Sequence, residues 1–143
     1  MGEAKLHFED VLEGDEAPVV SHTLSRTDLV RYAGASGDYN PMHHDEIIAK
    51  AAGQPSVFGH GMFSMGLLAT AVTDYVGIDN LTRYKVRFSS QTWPGEELLT
   101  HITVRAKRVE GDRHLVDLDC SLTNAGGEIK VVGEATADLS SKA

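Results

Sequence analysis

The run GMFSMGLLATAVTDYV, Gly61 to Val76, spreads Met62, Phe63, Met65, Leu67, Leu68, Ala71, Val72 and Val76 nearly all the way round a helix. Helices without a polar face are buried on most sides, so the rest of the chain must wrap around this segment. Ser64, Gly66, Thr70, Thr73 and Asp74 interrupt it. It is therefore too short and too polar to cross a bilayer, and no membrane span is expected. The wrapping follows in the sequence. LTRYKVRF, LLTHITVRAKRV, HLVDLDCSLTN and IKVVGEATADL are rich in β-branched residues and alternate, with EGDR and AGGE as turns between the last three. That pattern predicts an antiparallel meander. A chain of 143 residues supports one domain with a modest core, and no repeat, low-complexity tract or linker divides it. The expected class is α+β: a single domain over residues 1–143 in which a curved antiparallel sheet wraps around one long central helix. One helix leaves a sheet edge and much of its outer face uncovered, so association with a second copy or a related chain is expected.

Upstream, Pro18 to Leu24 reads as a strand. Ser25 with Asp28 three residues later is a capping-box signature before RTDLVRYAGAS, where Leu29, Tyr32 and Ala33 recur at helical spacing. Gly37 ends that helix. A second, short helix is predicted from Asp45 to about Ala52, stopped by Gly53 and Pro55, and QPSVFGHG then reads as a loop.

Between the first two helices lies ASGDYNPMHHD. A turn explains part of it: Gly37 reaches backbone angles closed to other residues, Pro41 fixes φ and pushes Asn40 toward an extended conformation, and Asp or Asn bond their own backbone. A turn does not explain His43. Asp38 and His43 flank a rigid segment able to aim both side chains at one point, which paired acid and base chemistry needs. In FGHGM, Gly59 and Gly61 bracket the start of the apolar helix, where free N–H groups and the positive end of the dipole can receive an oxygen that becomes anionic. His60 between them reads as a hydrogen-bonded structural histidine.

Composition excludes several classes. A formal net charge of −8 with no basic run argues against nucleic acid. Cys120 is the only cysteine, which excludes an internal disulfide and suits a reducing cytosol, and MGEAKLHFED lacks the basic start and apolar stretch of an export signal. A cytoplasmic protein is expected. No metal site is expected from His43, His44 and Asp45, because adjacent residues seldom point the same way and no spaced ligand set follows; His44 and Asp45 read as a helix start. There is no GxSxG, Walker A or GxGxxG motif. Arg83, Lys85 and Arg87 recur with period two and so share one face of a strand, while Tyr84, Val86 and Phe88 take the other. They are a candidate phosphate patch, although a solvated outer face accounts for them equally well.

YAGASGDYNPMHHDEIIAKAAG followed by FGHGMFSMG resembles the hydratase-2 motif of the MaoC-like (R)-specific enoyl-thioester hydratases, and YKVRFSSQTWPGEEL is similar to the family's strand after the central helix and the Pro-Gly turn beyond it. Within the family, the similarity is greatest to the B subunit of the (3R)-hydroxyacyl-carrier-protein dehydratase of type II fatty acid synthesis. The resemblance implies a hotdog fold, a dimer, and hydration of enoyl thioesters or dehydration of 3R-hydroxyacyl thioesters in fatty acid metabolism. It implies Asp38 and His43 as the catalytic pair, Asn40 as an orienting residue and the Gly61 amide on the thioester oxygen. No metal or redox cofactor is implied. The substrate would arrive on coenzyme A or on the phosphopantetheine of acyl carrier protein, with Arg83, Lys85 and Arg87 as candidate contacts. Gly59 stands where the family more often has alanine, and Tyr39 and Met42 are local variants. A hotdog acyl thioesterase would share the helix start without needing the pair. A tunnel-shaping partner subunit of a heterodimeric dehydratase would be expected to lack Asp38 or His43.

Overall fold

The computed structural model describes residues 6–143, so residues 1–5, half of the stretch read for an export signal, lie outside it. Helix α1 spans Arg26–Ser36, and its capping box is made: the Ser25 hydroxyl accepts from the Asp28 amide at 3.0 Å and the Asp28 carboxylate accepts from the Ser25 amide at 2.9 Å. It ends on Gly37 at φ 75°, a left-handed conformation that suits glycine. Helix α2 spans Glu46–Ala51, with Asp45 as its N-cap, and α3 spans Gly61–Val76.

Strand β1, Ser21–Thr23, is shorter than the sequence predicts. The residues before it run alongside the sheet outside any continuous strand, joined to it by an isolated bridge between Glu16 and Thr103 and by the Thr100 amide to the Val20 carbonyl at 3.0 Å. Strands β2 (Leu81–Phe88), β3 (Glu97–Glu110), β4 (Arg113–Asn124) and β5 (Ile129–Asp138) complete one antiparallel sheet in the order β1-β3-β4-β5-β2. The meander is β3–β4–β5, as the turn residues predict. Strand β2 does not sit beside its successor β3. It crosses to the far edge and pairs with β5, Lys85 opposite Glu134 and Val86 opposite Gly133. The two backbones approach so closely that a Cβ on Gly133 would lie 2.0 Å from the Lys85 carbonyl oxygen.

The connection from β2 back to β3 passes over a fully buried lysine. The Lys130 ammonium donates to the Gln91 carbonyl at 2.8 Å, pairs with Glu96 at 3.0 Å and also meets Glu128. A lysine in a strand is buried this completely only when paired and hydrogen-bonded. It thereby fixes the segment that borders the start of α3.

Ser64, Leu68, Ala71, Val72 and Val76 of α3 are buried, while Met62, Gly66, Thr70 and Asp74 are exposed. The helix is thus enclosed on one side rather than on most sides. The sheet supplies that cover, with Leu118, Leu122, Val131 and Ala135 in the same core, and each fully buried Leu or Val contributes about 1.5–3 kcal/mol. Tyr84 locks β2 to the helix through a 2.9 Å bond from its hydroxyl to the Met65 carbonyl. The other edge of β2 pairs with no described strand. Among the described residues, no helix is long and apolar enough to cross a membrane.

Candidate active site

The turn out of α1 builds the site from its own backbone. Past Gly37, one Asp38 carboxylate oxygen accepts from the Asn40 amide at 3.2 Å. Asn40, held at ψ 123° before Pro41, accepts the Met42 amide on its side-chain oxygen at 3.1 Å and so caps a single 3-10 turn, Pro41–His43. Asn40 therefore touches both halves of the pair, holding the Asp38 carboxylate with its amide and the turn that carries His43 with its side chain.

His43 is 8% exposed, and its Nδ1 lies 2.7 Å from the Phe58 carbonyl oxygen. A carbonyl only accepts, so Nδ1 carries a proton, and in the neutral ring Nε2 presents a lone pair. That lone pair faces the other Asp38 oxygen at 3.9 Å. The separation is too long for a hydrogen bond and short enough for one water oxygen to bond both at about 2.8 Å. Asp38 is half exposed, so the gap opens to solvent on its side.

Gly61 is the first residue of a 16-residue helix, where its amide has no partner within the helix and the dipole is positive. Beside it is a cavity of 280 Å³ lined by Phe58, Gly59, Gly61, Ser64, Phe88 and Thr92 among others. Phe88 covers Gly61 closely, its ring 3.3 Å from where a Cβ would stand. Asp38 and His43 do not line this cavity; Phe58 joins the two regions, its ring packed edge-on against His43 at 5.1 Å.

At Gly59 a Cβ would lie 2.1 Å from the Thr92 hydroxyl, which is buried and has no hydrogen-bond partner among the described residues. Thr92 thus fills the space of an alanine methyl. Gly59→Ala is expected to lower the melting temperature, and Gly59→Ala with Thr92→Ala to regain most of the loss in the same thermal scan, because the second change reopens that space.

His44 is exposed and its Nε2 donates to the Tyr39 carbonyl at 3.1 Å, while the Asp45 carboxylate caps the Ile47 and Ile48 amides. Asp45 is thus spent on the start of α2, and His44 on the turn that precedes it. His60 is 1% exposed, and its Nε2 donates to the Asp38 carbonyl at 3.1 Å. Its ring also stacks on His43 at 3.8 Å and 24°, a contact the sequence does not signal. Asp38, His43 and His60 offer three ligand atoms within 4.8 Å of one another. In stacked rings the in-plane lone pairs run alongside each other instead of converging, which a tetrahedral ion requires. The trio fits a metal poorly.

Burial pushes the Cys120 thiol up to about 12, which leaves it unreactive. Arg83, Lys85 and Arg87 are exposed on the face of β2 opposite Tyr84 and Val86. Arg83 is paired with Glu134 at 2.9 Å. Lys85 and Arg87 make no ion pair among the described residues and line a 430 Å³ surface hollow with Glu134. None of the three meets Asp38 or His43. Sequence reasoning also misses the Phe58 carbonyl and Thr92, since a backbone acceptor and a contact through space leave no mark in composition.

Residues 9–125 match the family model described as MaoC like domain. The chain belongs to the MaoC-like family. The (R)-specific enoyl-CoA hydratase of Rhodospirillum rubrum is 28% identical to it over 132 residues, 91% of this chain and 89% of that protein. The solved R-hydratase PhaJ1 of Pseudomonas aeruginosa superposes with a TM-score of 0.83 at 25% identity, covering 96% of this chain and 88% of that one. Peroxisomal enoyl-CoA hydratase 2 of Arabidopsis thaliana is 38% identical over 77 residues, 52% of this chain, and this chain spans only 25% of its length. The arrangement of one five-stranded sheet around α3 is the hotdog fold of these MaoC-like neighbours.

Proposed function

We propose that this MaoC-like chain is an (R)-specific enoyl-thioester hydratase, equivalently a (3R)-hydroxyacyl-thioester dehydratase. The observation that carries the reading is the gap between His43 Nε2 and Asp38, with a free helix-start amide nearby. A thioesterase needs no such pair, and a non-catalytic partner subunit would be expected to lack one of its members.

In the hydration direction, the pair holds one water by its two acceptors. As the water oxygen bonds to C3 of the enoyl thioester, one of its protons passes to the pair, negative charge builds on the thioester oxygen, and the Gly61 amide stabilises it. The proton then moves to C2, and the pair returns to its starting state. His43 Nε2 is the natural first acceptor, because its other nitrogen already carries a proton, held in the hydrogen bond to the Phe58 carbonyl. General acid-base assistance contributes about 10²–10⁴-fold and an oxyanion donor about 10²–10³-fold. No metal or redox step enters, so turnover is expected to survive a chelator.

The deciding experiment assays the purified chain on crotonyl-CoA and on a long-chain enoyl-CoA, followed by chiral analysis of the product. The 3R alcohol is expected; no hydration, or the 3S alcohol, rejects the reading. The substrate class is an acyl thioester of coenzyme A or acyl carrier protein, which share the phosphopantetheine arm, and the proposed compartment is the cytoplasm.

Lys85 and Arg87, exposed and unpaired among the described residues, are the proposed contacts for the carrier's phosphates; Arg83, already neutralised by Glu134, contributes less. Lys85→Gln with Arg87→Gln is expected to raise KM for a CoA thioester about 10-fold with kcat unchanged, the signature of lost uniform binding. An unchanged KM removes the patch from the site. The open edge of β2 and exposed Met62, Phe88 and Ile129 support a dimer through that edge, with an identical or a related hotdog chain. Sedimentation at micromolar concentration is expected to show a dimer, and a well-behaved monomer rejects it.

A further inference from the structure

His60 has three attachments, and each goes to a different part of the proposed site. Its Nε2–H donates to the Asp38 backbone carbonyl at 3.1 Å. Its ring lies flat against His43, centroids 3.8 Å apart at 24°. As the N-cap of α3, its backbone immediately precedes the Gly61 amide. Tyr32 also packs against it in a tilted, edge-type contact, with ring centroids 4.8 Å apart.

The cost of this placement is visible. His60 is 1% exposed, and its Nδ1 is buried with no partner among the described residues. Such an orphan is destabilising, and in native structures it calls for an explanation. A hydrogen-bonded structural histidine accounts for the bond to Asp38 but not for the stack on His43. Phenylalanine would give the flat face without the donor. Glutamine would give the donor without the face. Only an aromatic ring with an N–H at that position supplies both. Because a carbonyl only accepts, a proton sits on Nε2; Nδ1 is buried with no acceptor for a second proton, which favours the neutral ring. Burial, foremost, also holds the imidazole below its ordinary value, His43 and His44 add to that, and Asp38 opposes it. A neutral ring can lie against His43 without repelling the proton that His43 takes up.

We propose that His60 is a positioning residue for the reaction: its stack fixes the plane of the His43 ring, so that Nδ1 stays on the Phe58 carbonyl and Nε2 on the Asp38 gap, while its N–H fixes the Asp38 backbone. The role rests on the hydratase reading for its catalytic consequence, but its structural content is tested separately.

The test uses the intact protein with ¹⁵N-labelled histidine. In the wild type, His43 is expected as the Nδ1–H tautomer and His60 as the Nε2–H tautomer with a bare, unbonded Nδ1, at neutral pH. In His60→Gln, which keeps a donor but loses the face, the His43 signal is expected to average between tautomers and kcat to fall about 10-fold or more with KM unchanged. In His60→Phe, which keeps the face, the His43 signature is expected to return with part of the kcat. The proposal is overturned by a His43 tautomer unmoved in His60→Gln, or by a kcat loss that vanishes on cooling in step with the folded fraction. Should neither variant fold, a wild-type His60 found as the imidazolium or as the Nδ1–H tautomer overturns it as well. If the chain hydrates no thioester, the hydratase reading fails while the two tautomers stand or fall on their own.

Discussion

Asp38→Asn and His43→Gln are each expected to lower kcat by about 10²-fold or more while the melting temperature barely moves. Both replacements keep size and much of the hydrogen bonding. The Asn40 amide can still reach the side-chain oxygen that Asp38→Asn retains, and the Met42 amide can still cap on Asn40, so the 3-10 turn survives. What is lost is the pair of acceptors facing each other across 3.9 Å. The double variant is expected to be little worse than either single one, since groups acting as a unit are not additive. His44→Gln is the control: exposed and bonded only to the Tyr39 carbonyl, it is expected to retain full activity. Loss equal to that of His43→Gln would move the chemistry to the other histidine. Variants that lose stability and keep turnover would reduce Asp38 and His43 to shapers of the turn.

The largest expected effect on stability is at Gly133. A Cβ there would meet the Lys85 carbonyl oxygen at 2.0 Å and the Val86 Cα at 2.8 Å, both backbone atoms that no rotamer change can move. Gly133→Ala must therefore push β2 off β5 over the middle of their ladder. Overpacking of side chains costs about 1–3 kcal/mol, and a clash with backbone falls at the upper end or beyond. At about 2–4 °C per kcal/mol for a domain of this size, the melting temperature is expected to fall by about 10 °C. Gly126→Ala, where a Cβ would approach nothing closer than 3.5 Å, is the matched control. A Gly133→Ala protein as stable as the wild type would mean that β2 and β5 do not need this close approach to stay paired.

Much of this was legible in the residues, for identifiable reasons. Helix α3 and strand β2 begin and end where GHG, VG and SS punctuate the apolar and alternating runs, and α1 begins at its capping box. The meander follows from local turns. The position of β2 was not legible, because period-two alternation tells which face a side chain takes and nothing about which strand lies next to it. Lys130 reads as one more polar residue in IKVVGEATADL; it is buried because Glu96 and Glu128, remote from each other in sequence, close over it. In the site, Asp38, Asn40 and His43 are close in sequence and joined by one turn, so their convergence could be expected. His60 is different. Its weight comes from stacking on a residue 17 positions away, a contact set by how α3 docks.

The sheet order has a consequence for how the chain is made. Helix α3 leaves the ribosome before any of the strands β2 to β5 that cover it, and the last of them, β5, ends about 60 residues later. At about 5–20 residues per second, the most apolar segment of the chain waits roughly 3–12 s for its cover. Strand β2 waits nearly as long, since its partner is β5 and not β3. During that interval the Asp38–Asn40–His43 turn can close on itself, but Gly61 has no floor beneath it. A polypeptide truncated before β5 therefore exposes both the helix and an unpaired strand edge, and the nascent protein depends on β5, which carries none of the proposed catalytic residues, to cover them.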